Sequence, residues 1–320
     1  MQQQRASRLW ELAAVFLKLG TIGFGGPAAH IALMEDEFVR RRHWLTRDEF
    51  LDLIGAANLI PGPNSTEVAI HVGRLRAGVP GLIVAGSAFI FPAFCIVTAI
   101  AWAYAWAGKM PVTLALLRGI KPVMIAIVLQ ALVGLGKTAI KSWLWAIVGL
   151  AAMTVAVLRP EDEVAILAAV GIGAGLVAWI GTRKPRAVAL SVTPVALWPL
   201  FLVFAKAGAL LFGSGYVLLA FLRGDLVQRL GWLTNAQLLD AIAVGQVTPG
   251  PVFTTATFIG YNLAGMPGAI VATIGIFLPA FLFVAISGPL IPAMRRSRVA
   301  GMVLDAVSYT HLTLPTIYSV

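Results

Sequence analysis

The sequence has few charged residues and long stretches that contain none. Aspartate, glutamate, lysine and arginine make up 12% of the chain, about half their share in an ordinary soluble domain, while hydrophobic residues make up 59%. A bilayer-spanning helix needs about 20 consecutive apolar residues. This scarcity of charge therefore excludes a water-soluble fold. The uncharged stretches are Ala77–Gly108, Val164–Thr182, Ala187–Ala205 and Ala241–Met294.

The uncharged stretches also lack the alternation of apolar and polar residues that membrane-spanning β-strands show. Only helices and closed barrels satisfy their backbone hydrogen bonds in lipid, so we expect an all-α, polytopic integral membrane protein with broken or re-entrant helices. Leu12–Leu17 is cut by Lys18 and lacks a small-residue cleavage site, so we expect no cleaved signal peptide. The apolar segments lie near residues 9–34, 50–72, 78–107, 112–136, 142–158, 163–182, 195–222, 237–262 and 266–293.

Cysteine is almost absent, since Cys95 is the only one and lies within an apolar stretch. It has no second thiol for an intrachain disulfide or a thiolate metal site. His30 and His71 have no partners at metal-ligand spacing. The chain also contains no nucleophile elbow, phosphate loop, dinucleotide fingerprint or metalloprotease motif. We therefore expect no enzymatic activity, no cofactor and no metal site.

The charged residues that are present give a formal net charge of +10 and cluster between the apolar segments. That pattern is typical of cytoplasmic loops, and it indicates a lipid bilayer rather than a nucleic acid as the partner. The acidic run Glu35–Glu37 and the basic run Arg40–Arg42 are interpreted as a solvated loop. Trp44 and Trp232 are expected to anchor such loops at the headgroups.

The sequence contains an internal repeat at an offset of 188 residues. Duplicated halves are typical of secondary transporters, whose substrate site lies between the repeats near the bilayer midplane. We divide the chain into a first repeat (9–182), a basic linker (183–196), a second repeat that ends early (197–307) and a Thr-rich tail (308–320). The tail looks like foreign sequence joined to a truncated chain. Matching segments are Phe16–Gly25 with Phe204–Gly213, Trp44–Thr46 with Trp232–Thr234, Pro61–Pro63 with Pro249–Pro251 and, after a one-residue gap, Pro92–Phe94 with Pro279–Phe281.

The strongest local motif is the Pro-Gly-Pro sequence of each repeat. It must end a helix, because proline lacks an N–H and clashes with the preceding turn. Within a membrane such a break is tolerated where it faces protein or a water-filled cavity, and the helix that restarts there directs N–H groups toward an anion. The alternative is a loop at the membrane surface. The candidate substrate ligands are Pro61, Gly62, Asn64, Ser65 and Thr66 in the first repeat and Pro249, Gly250 and Thr254 in the second.

Glycine-rich sequences also interrupt the first apolar segment of each repeat. They are candidates either for ligand contact or for close helix packing, and the residues concerned are Gly25, Gly26, Gly213 and Ser214. Lys18 and Lys206 precede these breaks at matched positions, where a lysine either faces a substrate cavity or extends to the interface. Glu67, which Thr255 replaces in the second repeat, is either a proton carrier or a carboxylate that interacts with a helix dipole.

The sequence Phe24–Pro27 with His30, Trp44–Thr46 and the two Pro-Gly-Pro motifs resemble the chromate ion transporter family, whose long members carry two homologous domains in one chain. The resemblance covers residues 9–305, and Ser214 with Gly215 departs from the pattern. It implies a multi-pass protein of the bacterial inner (cytoplasmic) membrane that exports chromate and confers chromate resistance, with sulfate as a competitor.

We therefore expect a secondary transporter that moves a tetrahedral divalent oxyanion outward, with a homodimer as a candidate assembly. Helix N-termini at the breaks, together with Lys18 and Lys206, would hold the anion. A proton or charge gradient is the expected energy source, because no nucleotide-binding motif is present. A membrane protein for another anion stays open as an alternative, and so do two other classes. An intramembrane enzyme would need catalytic groups that the sequence does not offer, and the matched lysines argue against a non-transporting scaffold or sensor.

Overall fold

The computed structural model describes residues 2–107, 195–211, 218 and 221–289, and within these ranges the chain forms helices and turns without a strand. The first repeat contains α1 (Gln2–Ile22), α2 (Gly26–Glu35), a π-helical turn (Asp36–Arg41), α3 (Arg47–Leu59) and α4 (Asn64–Ala107). The second contains α5 (Leu197–Leu210), a π-helical turn (Arg223–Arg229), α6 (Asn235–Val247), a 3-10 turn (Val252–Thr254) and α7 (Thr255–Ser287). The predicted spans 112–136, 142–158 and 163–182, the tail 308–320, Gly213 and Ser214 lie outside the described residues.

The two repeats build equivalent helices from equivalent residues. Both α3 and α6 begin with a capping box, in which a threonine side chain accepts from the backbone N–H three residues later and the side chain there accepts from the threonine N–H. In α3 these residues are Thr46 and Glu49, and in α6 they are Thr234 and Gln237. A capping box pairs two N–H groups that a helix start leaves unpaired. The Thr-x-x-Glu/Gln sequence therefore sets the same start in both repeats.

Helix α4 is two helices that fold back on each other at Ala77 and Gly78. Gly78 has φ 65°, a left-handed conformation that glycine adopts without strain. A Cβ atom built on Gly73 would lie 2.4 Å from the Cβ of Ala85, whereas twelve residues of continuous helix would separate them by about 18 Å. Residues 64–76 (α4a) therefore pack antiparallel against the start of residues 79–107 (α4b).

Helix α7 has the same reversal, at Ala264 and Gly265. Gly265 has φ 63°, and a Cβ built on Gly260 would lie 2.7 Å from the Cβ of Ala272. Residues 255–263 (α7a) and 266–287 (α7b) thus repeat the arrangement of α4a and α4b. The sequence analysis placed segment boundaries near both reversals.

The two reversals lie at opposite ends of the molecule. Arg74, next to the first reversal, donates a hydrogen bond of 2.8 Å to the carbonyl of Val284, near the C-terminal end of α7b. The second reversal, at Gly265, begins α7b, and 19 helical residues extend about 28 Å. The repeats are therefore inverted relative to each other, a point that the sequence left open.

Two helices in the described part of the chain are long and apolar enough to cross a membrane, Asn64–Trp106 and Val252–Ser287. Within them, α4b and α7b alone extend about 43 and 33 Å, against a hydrocarbon core of about 30 Å, whereas α4a extends only about 20 Å. One side of α7b exposes a large apolar residue at every fourth position, which costs little in contact with lipid. These residues are Ile270, Ile274, Leu278, Leu282 and Ile286. The expected all-α membrane architecture is confirmed.

Candidate functional site

Each Pro-Gly-Pro loop is bonded to the interrupted first helix of the other repeat. The N–H of Gly62 donates to the carbonyl of Leu211 at 2.7 Å, and the N–H of Gly250 donates to the carbonyl of Gly23 at 2.8 Å. Gly23 and Leu211 occupy equivalent positions, as do Gly62 and Gly250. We refer to these four residues as the central crossing. The reciprocal bonds bring all four helix breaks together.

The loops of the central crossing lie inside the protein. Gly62 and Gly250 are both buried, and so are the prolines that follow them. A Cβ built on Gly250 would lie 2.6 Å from the Cβ of Ala93 in α4b, and one built on Gly62 would lie 3.6 Å from the Cβ of Ala280 in α7b. The alternative of loops exposed at the surface is therefore wrong. Proline ends the preceding helix, and each loop packs against the long helix of the other repeat.

Buried polar side chains surround the crossing on the side of the first repeat. The Nε2 of His30 lies 2.9 Å from the carbonyl oxygen of Gly23, and its Nδ1 lies 3.1 Å from the hydroxyl of Ser65. A carbonyl only accepts, so Nε2 carries the hydrogen, and in a neutral ring Nδ1 accepts from Ser65. His30 thus ties the break after α1 to the start of α4a.

Glu67 and Thr66 follow Ser65 in the first turn of α4a and are completely buried. Neither the two carboxylate oxygens of Glu67 nor the hydroxyl of Thr66 has a hydrogen-bond partner within the described ranges. The carboxylate instead lies against Gly62. Glu67 therefore does not cap the helix start with its side chain. We refer to His30, Ser65, Thr66 and Glu67 as the polar cluster.

The second repeat has no such cluster at the matching place. Ser65 corresponds to Phe253, and Glu67 corresponds to Thr255. The hydroxyls of Thr254 and Thr255 donate to backbone carbonyls of their own turn, each at 2.8 Å. Among the described residues, polar groups without partners are thus concentrated on one side of a crossing whose backbone is nearly symmetric.

The other predicted ligands at the breaks have different surroundings. Asn64 donates from its side-chain amide to the side-chain oxygen of Asn58, a bond that bridges the first Pro-Gly-Pro break. Gly25 and Gly26 have φ 97° and 79°, and a Cβ built on Gly26 would meet no atom of the described residues within 4 Å. Within these ranges Gly26 thus has no close packing partner, and its positive φ is a conformation that favours glycine.

Lys18 and Lys206 form equivalent ion pairs with the π-helical turns. Lys18 Nζ lies 3.3 Å from Glu37, and Lys206 Nζ lies 3.0 Å from Asp225. The lysine side chains are about half exposed, while both acids are buried. Arg42 donates to Glu37 at 2.7 Å, and this bond, with help from Lys18, holds the pKa of Glu37 below its ordinary value.

The interpretation of residues 35–42 as a loop is therefore wrong, whereas the expected solvent exposure holds for Arg40–Arg42. The run continues α2 as a π-helical turn and buries Glu37 and Phe38. Trp44 stacks on Phe38, and the guanidinium of Arg76 lies 4.5 Å from the centre of its indole ring. Local charge density suggested solvent exposure of the whole run, but Glu37 is buried and pairs with Lys18 and Arg42.

The sequence analysis gave no role to His30 or His71, because neither has a metal partner. His30 is instead a hydrogen-bonding link, and the signal that would have found it is the Gly-Gly-Pro break that ends three residues before it. His71 lies four residues after Glu67, on the same helix face. Among the described residues no three His, Cys, Asp or Glu side chains are grouped as a metal site would need.

Comparison with known proteins relates most of the chain to a single family. The family model described as chromate transporter matches residues 10–182 and 198–314. A chromate transport protein of Cupriavidus metallidurans is 36% identical over 302 residues, 88% of this chain and 74% of the relative. A probable chromate transport protein of Synechococcus elongatus is 36% identical over 89% of this chain and 77% of its own length. A chromate transport protein of Pseudomonas aeruginosa is 32% identical, with 93% and 77% covered. No solved structure matches.

Proposed function

The chain belongs to the chromate transporter family, and from that premise we propose that it is a secondary transporter that carries chromate, a tetrahedral divalent oxyanion, out of the cell across the bacterial inner membrane. The resemblance inferred from the sequence motifs is confirmed by the family match. The relatives are transport proteins by name rather than enzymes, which supports transport over intramembrane catalysis. Export, chromate resistance, a multi-pass location in the inner membrane and a homodimeric assembly are parts of this proposal.

The observation that carries the proposal is the central crossing with its polar cluster. Four helix breaks meet there, and the hydroxyl of Thr66 is buried without a hydrogen-bond partner among the described residues. Helix N-termini favour negative charge, and buried polar groups are rarely left unpaired unless something binds them. We assign the oxyanion to the space beside Ser65, Thr66 and the restarting helices, with the two Pro-Gly-Pro loops, Asn64, Thr254, Gly25, Gly26, Gly213 and Ser214 as its other candidate neighbours.

The membrane potential alone is able to drive export of a dianion. Each elementary charge is worth about 2.3 kcal/mol per 100 mV, so two negative charges leaving a negative interior gain about 4.6 kcal/mol per 100 mV. Protons that move together with the anion would change the net charge that crosses the membrane and therefore the energy gained. We propose Glu67 as the carrier of such protons.

Radiolabelled chromate flux in proteoliposomes tests the proposal. We expect uptake into inside-out-oriented vesicles that is accelerated by an interior-positive potential and reduced by excess sulfate. Protein-free liposomes and vesicles that contain the Gly250→Ala variant serve as controls. Wild-type vesicles with no more flux than liposomes would contradict the proposal, as would flux of neutral solutes of the same size.

The proposal also assigns a role to the matched lysines. Although each is paired with an acid, its side chain is about half exposed and free to turn toward a passing anion. Lys18→Gln and Lys206→Gln are therefore expected to lower chromate flux by at least roughly tenfold with normal insertion, as loss of a charge-assisted contact does. Flux in vesicles that contain equal amounts of each protein measures this.

Glu37→Gln separates the two possible roles of Lys18. If the lysine served only its ion pair with Glu37, this variant would lose as much flux as Lys18→Gln. We expect it to keep more flux, because the glutamine oxygen still accepts from Arg42 and Lys18 still offers its charge to the anion. Wild-type flux in both Lys→Gln variants would remove the lysines from the site.

A further inference from the structure

Two buried ionisable side chains lie one helical turn apart on α4a. Glu67 is 0% exposed and His71 is 1% exposed. Neither carboxylate oxygen of Glu67 nor the Nε2 atom of His71 has a hydrogen-bond partner within the described part of the chain. Residues four apart on a helix face the same way, with Cβ atoms about 5–6 Å apart.

The same helix face leads from the buried polar cluster to the exposed reversal. Glu67 and His71 are buried, Arg74 is half-buried, and Gly78 is exposed. The guanidinium of Arg74 is held by the carbonyls of Val284 and Ala285 at the end of α7b. The three ionisable side chains thus form a row that connects the crossing with one end of the membrane-spanning region.

The second repeat has no equivalent row. With the one-residue gap between the repeats, His71 corresponds to Phe258 and Arg74 to Tyr261, and Thr255 replaces Glu67. Because the repeats are inverted, a route to water along α4a opens on one side of the membrane only. An asymmetric route inside a nearly symmetric backbone requires a reason other than packing.

The groups around this row do not neutralise Glu67. Within the described ranges no ion pair involves it, and α7 carries no charged residue. An unpaired carboxylate away from water is costly as an anion. The other titratable groups on elements packed against α4a are Arg8, Glu11 and Lys18 on α1, His30 and Glu35 on α2, Arg47, Asp48, Glu49 and Asp52 on α3, Cys95 and Tyr104 on α4b, and Tyr261 on α7.

We propose that Glu67 binds one proton for each oxyanion held in the polar cluster, and that His71 carries that proton between Glu67 and the end of the membrane marked by Arg74. This inference rests on the proposed function. A carboxylate and a dianion repel each other strongly in a site of low dielectric. Protonation of Glu67 and anion binding therefore favour each other, and this coupling is reciprocal. In each cycle His71 takes a proton from water, becomes an imidazolium and returns to neutral by protonating the carboxylate. When the oxyanion leaves, Glu67 gives that proton to water on the side where the anion is released, and the carboxylate is restored.

An equilibrium measurement tests the role of Glu67. Chromate is added to purified full-length protein in weakly buffered detergent with a pH indicator, and wild type is compared with Glu67→Gln. At a pH high enough to ionise Glu67 in the free protein, we expect wild type to take up about one more proton per bound chromate than the variant. At a lower pH, where burial keeps Glu67 protonated before chromate is added, the two proteins should take up the same number. The chromate affinity of wild type should fall as the pH rises, while that of the variant changes less. Protonation of chromate itself is the same in both samples, so the difference reports Glu67.

The outcomes separate this inference from the proposed function. Equal proton uptake and equal pH dependence in wild type and Glu67→Gln would overturn the inference while leaving chromate transport intact. A wild-type protein that binds no chromate would overturn both. Loss of folding in Glu67→Gln would show in its melting curve, and Glu67→Thr, which installs the residue of the second repeat, then gives the same comparison.

A kinetic measurement tests the role of His71. A relay changes the rate of proton movement and not the equilibrium, so His71→Phe should keep chromate affinity and proton uptake within about twofold and slow chromate-driven proton flux at least roughly tenfold. Proton flux is followed with a pH-sensitive dye inside proteoliposomes. Imidazole added to His71→Ala should restore part of the rate.

The matched control for His71 is Thr98→Val. Thr98 lies on α4b and is also buried with an unpartnered polar atom, but it is outside the row. Its flux should equal that of wild type. Wild-type proton flux in His71→Phe, or equal slowing by Thr98→Val, would show that His71 is not the route.

Discussion

Gly250→Ala should abolish chromate flux and lower the thermal stability of the protein, whereas Gly62→Ala should abolish flux at a smaller cost in stability. Both glycines have positive φ, 89° and 143°. Such strain in a non-glycine residue costs about 1–3 kcal/mol. The new methyl group at position 250 would also lie 2.6 Å from the Cβ of Ala93, which the backbone of α4b holds in place. Overpacking of this kind adds about 1–3 kcal/mol.

At Gly62 the new methyl group would meet a side chain that is able to move. Its nearest neighbour is the carboxylate oxygen of Glu67, at 2.2 Å. The carboxylate lies at the end of a flexible chain, so Gly62→Ala should displace Glu67 more than it destabilises the fold. Displacement of Glu67 should remove the proton coupling and also distort the oxyanion site. We therefore expect both chromate flux and chromate binding to fall in Gly62→Ala.

Gly231→Ala is the matched control for both variants. Gly231 has φ 61°, but a Cβ atom there meets no atom of the described part of the chain within 4 Å. It therefore isolates backbone strain from steric conflict. Melting curves in detergent and flux at equal protein density measure the three variants. Gly250→Ala with the stability and flux of Gly231→Ala would contradict the packing of the central crossing described above.

Much of this crossing could be predicted from the sequence, because its causes are local. Proline and glycine end helices wherever they occur, so the Pro-Gly-Pro breaks and the interruption before Gly25 followed from residue type. The capping boxes at Thr46 and Thr234 likewise depend on residues three positions apart. The repeat then predicted that the same breaks would occur twice.

The parts that could not be predicted depend on residues far apart in the chain. The hydrogen bond from Gly62 to Leu211 joins the two repeats, and no residue pattern in either segment predicts which residue of the other repeat it bonds to. The ion pair of Lys18 with Glu37 requires a π-helical turn that turns one acid of three inward. A lysine in an apolar segment predicts a partner or a cavity, and tertiary structure decides between them.

The asymmetry of the site was visible in the sequence only in part. The repeat shows that Thr255 replaces Glu67 in the second half, but the functional consequence of this difference depends on the inversion of the repeats. Inversion follows from Arg74 contacting the far end of α7b, a contact between residues 210 positions apart. Because the repeats are inverted, a row of ionisable groups that occurs in one repeat only leads to one side of the membrane only. The sequence thus predicted Glu67 as a candidate, and the structure added His71 and Arg74 and gave the row its direction.

Gly81→Ala and Gly268→Ala should each disrupt the hairpins that hold this route and the crossing in place. A Cβ atom on either residue would lie 2.1 Å from a backbone carbonyl oxygen, that of Gly73 or Gly260. Backbone inside a helix yields less than a side chain, so the two helices of the hairpin must separate. We expect a loss of about 1–3 kcal/mol at each site from overpacking. Both variants should therefore accumulate poorly in membranes and melt earlier.

The two hairpins should differ in how their loss affects transport. α4a carries Glu67 and His71, so Gly81→Ala should also reduce proton uptake per bound chromate in the fraction that folds, whereas Gly268→Ala should leave that ratio unchanged. Gly224→Ala is the control, because a Cβ atom there meets nothing within 4 Å. Membrane accumulation, melting curves and proton uptake measure the set. If Gly81→Ala melts and accumulates like Gly224→Ala, then α4a and α4b do not pack at this distance, and the row from Glu67 to Arg74 does not follow the course assigned to it.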